Sequence, residues 1–300
     1  MTATESRAEG TTASPRVQPT GAVAGYRPER TLRLSVELRR QFKRRRTIGI
    51  YALMVALPLI LIGALQLGGS EKAAENDRIN LVDVATSSGL NFTLFVLFAT
   101  TGFFLVVVYA LCFGDSVASE AQWGSLRYTL ATPVPRSRLL RQKFYAALVQ
   151  SVGALLTLAT VAVVAGGIAF GFDDIRTPVG VTLDQGEGMV RLAGMLGYLA
   201  IHLLVVGSLA FWFSTITDAP LAAVGGAVFT MFVFAILDQV EQLGAIRDWF
   251  PTAEEYAWTH LLETPIDSDE MFRGVIQALV YTVIFTALAF RHFARRDVTS

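Results

Sequence analysis

The sequence has few charged residues and almost no cysteine. Only 17% of its 300 residues are Asp, Glu, Lys or Arg, whereas about 25% is usual for a soluble domain. The single cysteine, Cys112, has no partner for a disulfide within the chain, so it is predicted to be a buried apolar side chain. The low charge and the 53% of hydrophobic residues indicate a membrane protein.

Three catalytic motifs are also missing. The sequence contains no phosphate-binding loop G-x-x-x-x-G-K-[ST], no zinc-binding H-E-x-x-H and no nucleophile elbow G-x-S-x-G. We therefore expect no catalytic residues, no metal site and no cofactor of its own, and we predict that this chain is not an enzyme.

Six apolar runs account for the composition. Each is close to the roughly 17–25 residues that a helix needs to cross about 30 Å of hydrocarbon, and only helices or closed barrels satisfy their backbone groups there. Strand-like alternation is absent, so an all-α polytopic fold is predicted, with a six-helix transmembrane domain over residues 47–290. The predicted spans are Thr47–Leu67, Leu90–Phe113, Phe144–Phe170, Met189–Phe213, Ala219–Leu237 and Met271–Phe290.

Positive charge is concentrated on one side of this predicted topology. The segments 1–46, 114–143, 214–218 and 291–300 hold 19 of the 25 Lys and Arg but only 8 of the 25 Asp and Glu. Because cytoplasmic loops carry excess Lys and Arg, both termini are predicted to be cytoplasmic in a multi-pass protein of the cell membrane. The basic run 43–46 abuts the first span, so it is interpreted as a membrane anchor and not as a nucleic-acid site.

The two ends of the chain are predicted to differ. Residues 1–27 are polar and aperiodic, which predicts a disordered cytosolic tail, and residues 291–300 are predicted to be a cytosolic C-terminal tail. Residues 28–46 place Leu34, Val36, Leu38 and Phe42 among basic residues. This pattern predicts an amphipathic entry helix at the inner leaflet; the alternative is a short extension of the first span.

The last external segment and the interior of the spans carry further predictions. The segment 238–270 is acidic but rich in aromatic and aliphatic residues, which predicts one or two interfacial helices divided at Pro251. His202, in the fourth span, is interpreted as a helix-packing hydrogen bonder or as a cavity contact. The predicted spans contain almost no buried charge, which argues against an ion-coupled carrier.

The polar segment 114–143 joins the second and third spans. Its first half is predicted to form a helix from Asp115 to Thr129, which the sequence Thr-Pro-Val-Pro at 132–135 would end. Four basic residues then lead into the third span. Physical chemistry alone leaves two interpretations open: a basic turn that sets topology, or a rigid knob on which a soluble partner docks.

This segment resembles the signature region of the ABC-2 type permease family, the membrane subunits of ATP-driven exporters. The resemblance extends over about residues 30–297, including an ending in Phe293, Arg295, Arg296 and Asp297, and departs at Ser125, where Thr is common. The loop residues that carry it are Glu120, Gly124, Ser125, Leu126, Leu130, Pro133, Val134, Arg136, Leu139 and Lys143.

The resemblance implies an exporter built from two permease subunits, identical or homologous, and separate ATPase subunits that hold ATP and Mg²⁺. Substrate would leave between the permeases, near the second and fifth spans. We expect Glu120→Ala or Gly124→Leu to abolish transport without preventing folding. The alternatives are a six-helix secondary carrier and a non-transport membrane scaffold. The residues implied in coupling to the ATPase are Glu120, Gly124, Ser125, Leu126, Pro133 and Arg136.

Overall fold

The computed structural model describes residues 34–68, 81–124, 135–176, 182–266 and 268–295. Helices dominate these residues. In chain order the elements are α1 (Leu34–Phe42), α2 (Arg45–Gly68), α3 (Leu81–Ala85), α4 (Gly89–Thr100), a π-helix (Thr101–Leu105), α5 (Val106–Gln122), α6 (Arg136–Phe170), β1 (Ile175–Arg176), β2 (Thr182–Leu183), α7 (Gln185–His202), α8 (Leu204–Ile216), α9 (Pro220–Asp238), two 3₁₀ helices (Glu241–Trp249 and Ala257–Leu262) and α10 (Asp269–Arg295).

Within the described residues, six helices are long and apolar enough to cross a membrane, so the predicted all-α polytopic fold with six spans is confirmed at this level. The short antiparallel pairing of β1 with β2 was not predicted. In order, spans 1 to 6 are Arg45–Leu67, Gly89–Gln122, Arg136–Phe170, Gln185–Ile216, Pro220–Asp238 and Asp269–Arg295.

The predicted end segments change at their boundaries. The tail 1–27 lies outside the described residues, and so does the first part of the predicted entry helix. Residues 291–295, which we assigned to the C-terminal tail, continue the last helix instead. The basic residues Arg45 and Arg46 begin span 1.

Spans 2 and 3 are much longer than a bilayer requires. They contain 34 and 35 residues, and at about 1.5 Å per residue each helix is roughly 50 Å long, against about 30 Å of hydrocarbon. Their surplus turns extend past the apolar runs at the end of the bundle where α1 lies. This end is called the α1 end below.

Helix α8, the second half of span 4, lies at the centre of the bundle. It packs against α5, α9 and α10. Around it, Phe113, Phe144 and Phe211 form edge-to-face pairs, with ring centroids 5.3 Å apart for Phe113–Phe144 and for Phe144–Phe211. Span 1 packs mainly on span 3 and lies at the periphery.

Two spans depart from regular α-helix in their middle. Span 2 widens into a π-helix at Thr101–Leu105, and span 4 is interrupted at Leu203. The hydroxyl of Thr101 donates to the carbonyl oxygen of Leu97, 2.7 Å away. Such π segments are rare and frequently mark functional sites.

The loop between spans 5 and 6 packs onto the bundle at the end opposite α1. Its two 3₁₀ helices lie on either side of Pro251, the residue at which a division was predicted. Arg191 of span 4 fastens it, because its Nη1 donates to the carbonyl oxygens of Leu261 (2.7 Å) and Glu263 (2.9 Å). Trp258 is fully buried beneath the loop.

Candidate functional site: a buried ion-pair cluster at the α1 end

Helix α1 turns a polar face to the bundle. Glu37 and Gln41 are one helical turn apart and buried, whereas Val36 and Phe42 are exposed. The amphipathic pattern therefore describes an outward apolar surface. The polar residues of α1 that lie between the apolar ones contact the rest of the bundle.

The centre of the contact is Lys143, near the start of span 3. Its Nζ lies 2.7 Å from Oε1 of Glu120 and 3.8 Å from Oε1 of Glu37, and it donates to the carbonyl oxygen of Ser116 at 2.9 Å. The exposed fractions are 1% for Lys143, 2% for Glu37 and 3% for Glu120. Charges removed from water to this degree are tolerated only when they are paired and hydrogen-bonded.

Arg40 completes the cluster and balances its charge. Its Nη2 donates to Oε1 of Glu37 at 2.9 Å and to Oε1 of Glu120. Burial opposes ionisation of Glu37, but the charge of Lys143, the hydrogen bond from Gln41 and the charge of Arg40 outweigh it. The pKa of Glu37 therefore lies below its ordinary value. We call Glu37, Arg40, Glu120 and Lys143 the α1 cluster.

A second set of ion pairs lies beside the α1 cluster. Nη1 of Arg44 is 3.2 Å from Oδ2 of Asp115 and donates to Oγ of Ser119, also at 3.2 Å. Arg46 pairs with Oδ1 of Asp115. Arg44 and Arg46, in the basic run that we interpreted as a membrane anchor, thus bind span 2. They hold the bend between α1 and span 1 against span 2.

The implied coupling residues do not all lie on an exposed knob. Glu120 is buried in the α1 cluster, so its carboxylate faces the interior. Gly124 ends the helix with φ of +64°, a conformation that residues with a Cβ rarely adopt, and its N–H donates to the carbonyl oxygen of Ala121 at 3.0 Å. Arg136 is exposed at the start of span 3 and its Nη1 donates to the carbonyl oxygen of Ala294 at 3.4 Å. Ser125, Leu126 and Pro133 lie outside the described residues.

The position of Glu120 changes one expectation. Removing its carboxylate would leave Lys143 and Arg40 with an unbalanced buried charge, and such changes cost about 3–5 kcal/mol. We therefore expect Glu120→Ala to lower the stability of the protein as well as its transport activity.

Glu37, Arg40 and Asp115 were not predicted as members of the site. A signal was present, because Glu37 and Gln41 form a polar i, i+4 pair inside an otherwise apolar pattern. Its partner could not be identified, since Arg40 and Glu120 are 80 positions apart in the sequence.

The family comparison covers most of the bundle. Residues 75–299 match the family DUF2705, described as "Protein of unknown function". "Uncharacterized protein YhcI" of Bacillus subtilis (strain 168) is 26% identical in an alignment 224 residues long, which covers 70% of this chain and 67% of that protein. The family match includes Glu120 and Lys143, whereas Glu37 and Arg40 precede it. Because it spans about three quarters of the sequence, this chain belongs to the DUF2705 family.

Proposed function

We propose that the chain is the permease subunit of an ABC-type exporter of the ABC-2 class. It lies in the cell membrane with both termini in the cytoplasm, forms the substrate path with a second, identical or homologous permease, and is driven by a separate ATPase subunit. The observation that carries the proposal is the α1 cluster. It joins the entry helix to the two helices that flank the segment 125–134.

This connection suits the transmission of movement. A soluble partner that contacts the ends of spans 2 and 3 acts on Glu120 and Lys143, and through them on Glu37 and Arg40 of α1. Span 2 then continues through its π-helix to the centre of the bundle. A partner can shift this assembly between two conformations only if it binds them with different free energies. The ion pairs of the α1 cluster hold α1, span 2 and span 3 together, so a displacement of one helix end moves the others.

An exposed aromatic residue supports a docking surface at this place. Trp123, directly before Gly124, is 82% exposed, although Trp is a residue type that concentrates binding energy in interfaces. Arg136 begins the other side of the same segment and is also exposed. The sequence has no phosphate-binding loop, so ATP would be bound by the partner.

Reconstitution with the ATPase would test the proposal. The full chain would be co-expressed with any P-loop ATPase that a neighbouring gene encodes, purified and placed in liposomes. We expect a stable complex whose ATP hydrolysis exceeds that of the ATPase subunit alone. Trp123→Ala should weaken assembly on the order of tenfold, whereas Trp249→Ala, an equally exposed Trp at the opposite end, should not.

Several outcomes would contradict this function. Robust ATP hydrolysis by the purified chain alone would refute a separate ATPase. Transport by the chain alone along an ion gradient would identify a secondary carrier. If the chain forms no complex with an ATPase and transports nothing, a non-transport membrane scaffold is the remaining interpretation.

The orientation has its own test. In a Cys112→Ser background, Ser137→Cys at the α1 end should react with an impermeant thiol reagent only after permeabilisation of cells. Ile246→Cys, in the loop at the opposite end, should react from outside. Both parent residues lie on exposed segments, and the reversed pattern would overturn the orientation.

A further inference from the structure

Two adjoining cavities lie at the end of the bundle opposite α1. The inner cavity, of about 220 Å³, lies between spans 2, 4 and 5. The outer cavity, of about 260 Å³, lies under the loop that joins spans 5 and 6. Both are lined by Gln239, Thr252 and Glu255, and we call the two adjoining cavities together the cleft.

The helix irregularities shape the inner cavity. Gly102, in the π-helix of span 2, and His202 with Leu203, at the break in span 4, all line it. A Cβ at Gly102 would lie 2.7 Å from Oη of Tyr256 and 3.6 Å from Oε1 of Glu255. The loop can therefore bring Glu255 and Tyr256 against span 2 because this position has no side chain.

Two buried polar atoms in the cleft have no hydrogen-bond partner among the described residues. They are Nδ1 of His202 and Oγ1 of Thr252, and each residue is only 6% exposed. Buried polar groups are nearly always hydrogen-bonded, and exceptions call for an explanation. Both residues line the inner cavity, where these atoms can contact a bound molecule.

The outer cavity is acidic and incompletely neutralised. Glu254 pairs with Arg273 and Glu270 with His260. Across the part of the chain that the structure describes, the carboxylates of Glu255 and Asp238 form no ion pair. The nearby Arg247 donates to the backbone carbonyl oxygen of Asp238, at 2.9 Å, and likewise forms no ion pair with a described carboxylate.

We propose that this cleft binds a monovalent organic cation with an aromatic or branched apolar body. Glu255 is its counter-charge and the ring of Tyr256 offers a cation–π contact. The apolar body enters the inner cavity beside Phe103, Met231 and Phe232. The cleft is poorly suited to an anion, because of its carboxylates, or to a hydrated metal ion, because of its apolar inner wall. This inference deepens the proposed function, since it names the cargo class of the exporter.

Cation binding in the cleft should depend on the protonation of Glu255. Burial, together with the negative charge of Asp238, raises the pKa of Glu255 to about 7. A cation bound beside this carboxylate favours its ionised form, so binding displaces a proton and strengthens as the pH rises. The affinity should increase about tenfold between about pH 6 and about pH 8, as the ionised fraction of a group with a pKa of about 7 does.

Other titratable groups face Glu255 and must be separated from it. They come from every element around the cleft: Asp238 of span 5, Glu270 of span 6, His202 of span 4, and Glu254, Tyr256 and His260 of the loop. Burial opposes protonation of His260, but its hydrogen bonds with Glu263 and Glu270 raise its pKa above the ordinary value. Loss of that proton would also favour a cation at high pH, so a variant of Glu255 is needed to assign the effect.

The experiment is equilibrium binding of radiolabelled benzyltrimethylammonium to the purified full chain in phosphatidylcholine nanodiscs. We expect saturable binding, about tenfold tighter at the higher pH, and no binding of benzenesulfonate. Glu255→Gln should weaken binding on the order of tenfold and remove the pH dependence. Glu241→Gln removes an exposed carboxylate of the same loop that lines neither cavity, and should change neither.

Equal affinity at the two pH values, binding that survives Glu255→Gln, or pH dependence that remains in that variant would each overturn the proposal. Thermal melting would establish that the variant is folded. If it is not, His260→Gln removes the competing titration; the pH dependence should remain in that variant, and its loss would overturn the proposal. No ATPase is present in this assay, so its failure removes the cargo assignment and leaves the exporter function to its own test.

Discussion

Nζ of Lys143 lies 2.7 Å from Oε1 of Glu120, and both side chains are almost completely buried. One residue comes from span 3 and the other from span 2, so the pair joins the helices on the two sides of the segment 125–134. The attraction within a buried ion pair only partly offsets the hydration that both charges lose. We therefore infer that this pair fixes the arrangement of the two helices more than it stabilises the fold. Arg40 and Glu37 connect α1 to the same pair.

A double-mutant cycle would test this pair. Lys143→Met and Glu120→Gln should each destabilise the protein by about 3–5 kcal/mol, because each leaves an uncompensated buried charge. The double variant should cost clearly less than the sum. Chemical denaturation in detergent measures the three variants, and additive effects would show that the residues do not interact.

The contact of α1 with the bundle depends on Arg40. Arg40→Gln should increase amide hydrogen exchange in residues 34–42 on the order of tenfold, since the helix loses its charged hydrogen bonds to Glu37 and Glu120. Arg39→Gln is the matched control, because Arg39 is the exposed neighbour. Equal exchange in the two variants would mean that the ion pairs do not hold α1.

The end of span 2 depends on the backbone of Gly124. With φ of +64°, Gly124→Leu should cost about 1–2 kcal/mol of strain and weaken assembly with the ATPase. Gly124→Asn should be better tolerated, because Asn adopts this conformation more readily. Melting temperature and co-purification of the ATPase measure the two effects, and a Leu variant as stable as the Asn variant would contradict the reasoning.

Glu255 makes stability depend on pH. Its folded-state pKa of about 7 exceeds the ordinary 4.5, so its stabilising contribution is complete below about pH 4.5 and is lost as the pH rises through about 7. Glu255→Gln should therefore melt at a higher temperature than the wild type at about pH 8. The advantage should shrink towards about pH 5, and thermal melting in nanodiscs at both values measures it.

Glu37 acts in the opposite direction. Because its pKa is lowered in the folded protein, its contribution is present above its ordinary pKa and disappears on acidification below it. Glu37→Gln should consequently lose stability at neutral pH and differ little from the wild type in acid. An unchanged difference across the range would mean that Glu37 is not ionised in the fold.

Local hydrophobicity was enough to predict the number and approximate position of the six spans. Hydrophobicity over about 20 residues is a local property, and a lipid-exposed backbone has few alternatives to helix. The loop signature around Glu120 and Gly124 was likewise local, as was the division of the outer loop at Pro251.

Which residues meet depends on the tertiary packing. It turned the polar stripe of α1 inward, paired Glu120 with Arg40 and Lys143, and set Glu255 against Gly102 in a π-helix that no local pattern predicted. These contacts join residues far apart in the chain. They depend on how the spans pack against one another, and that packing sets the free energy of burying a charge or an unpaired polar atom. The periodicity of one helix does not contain this information.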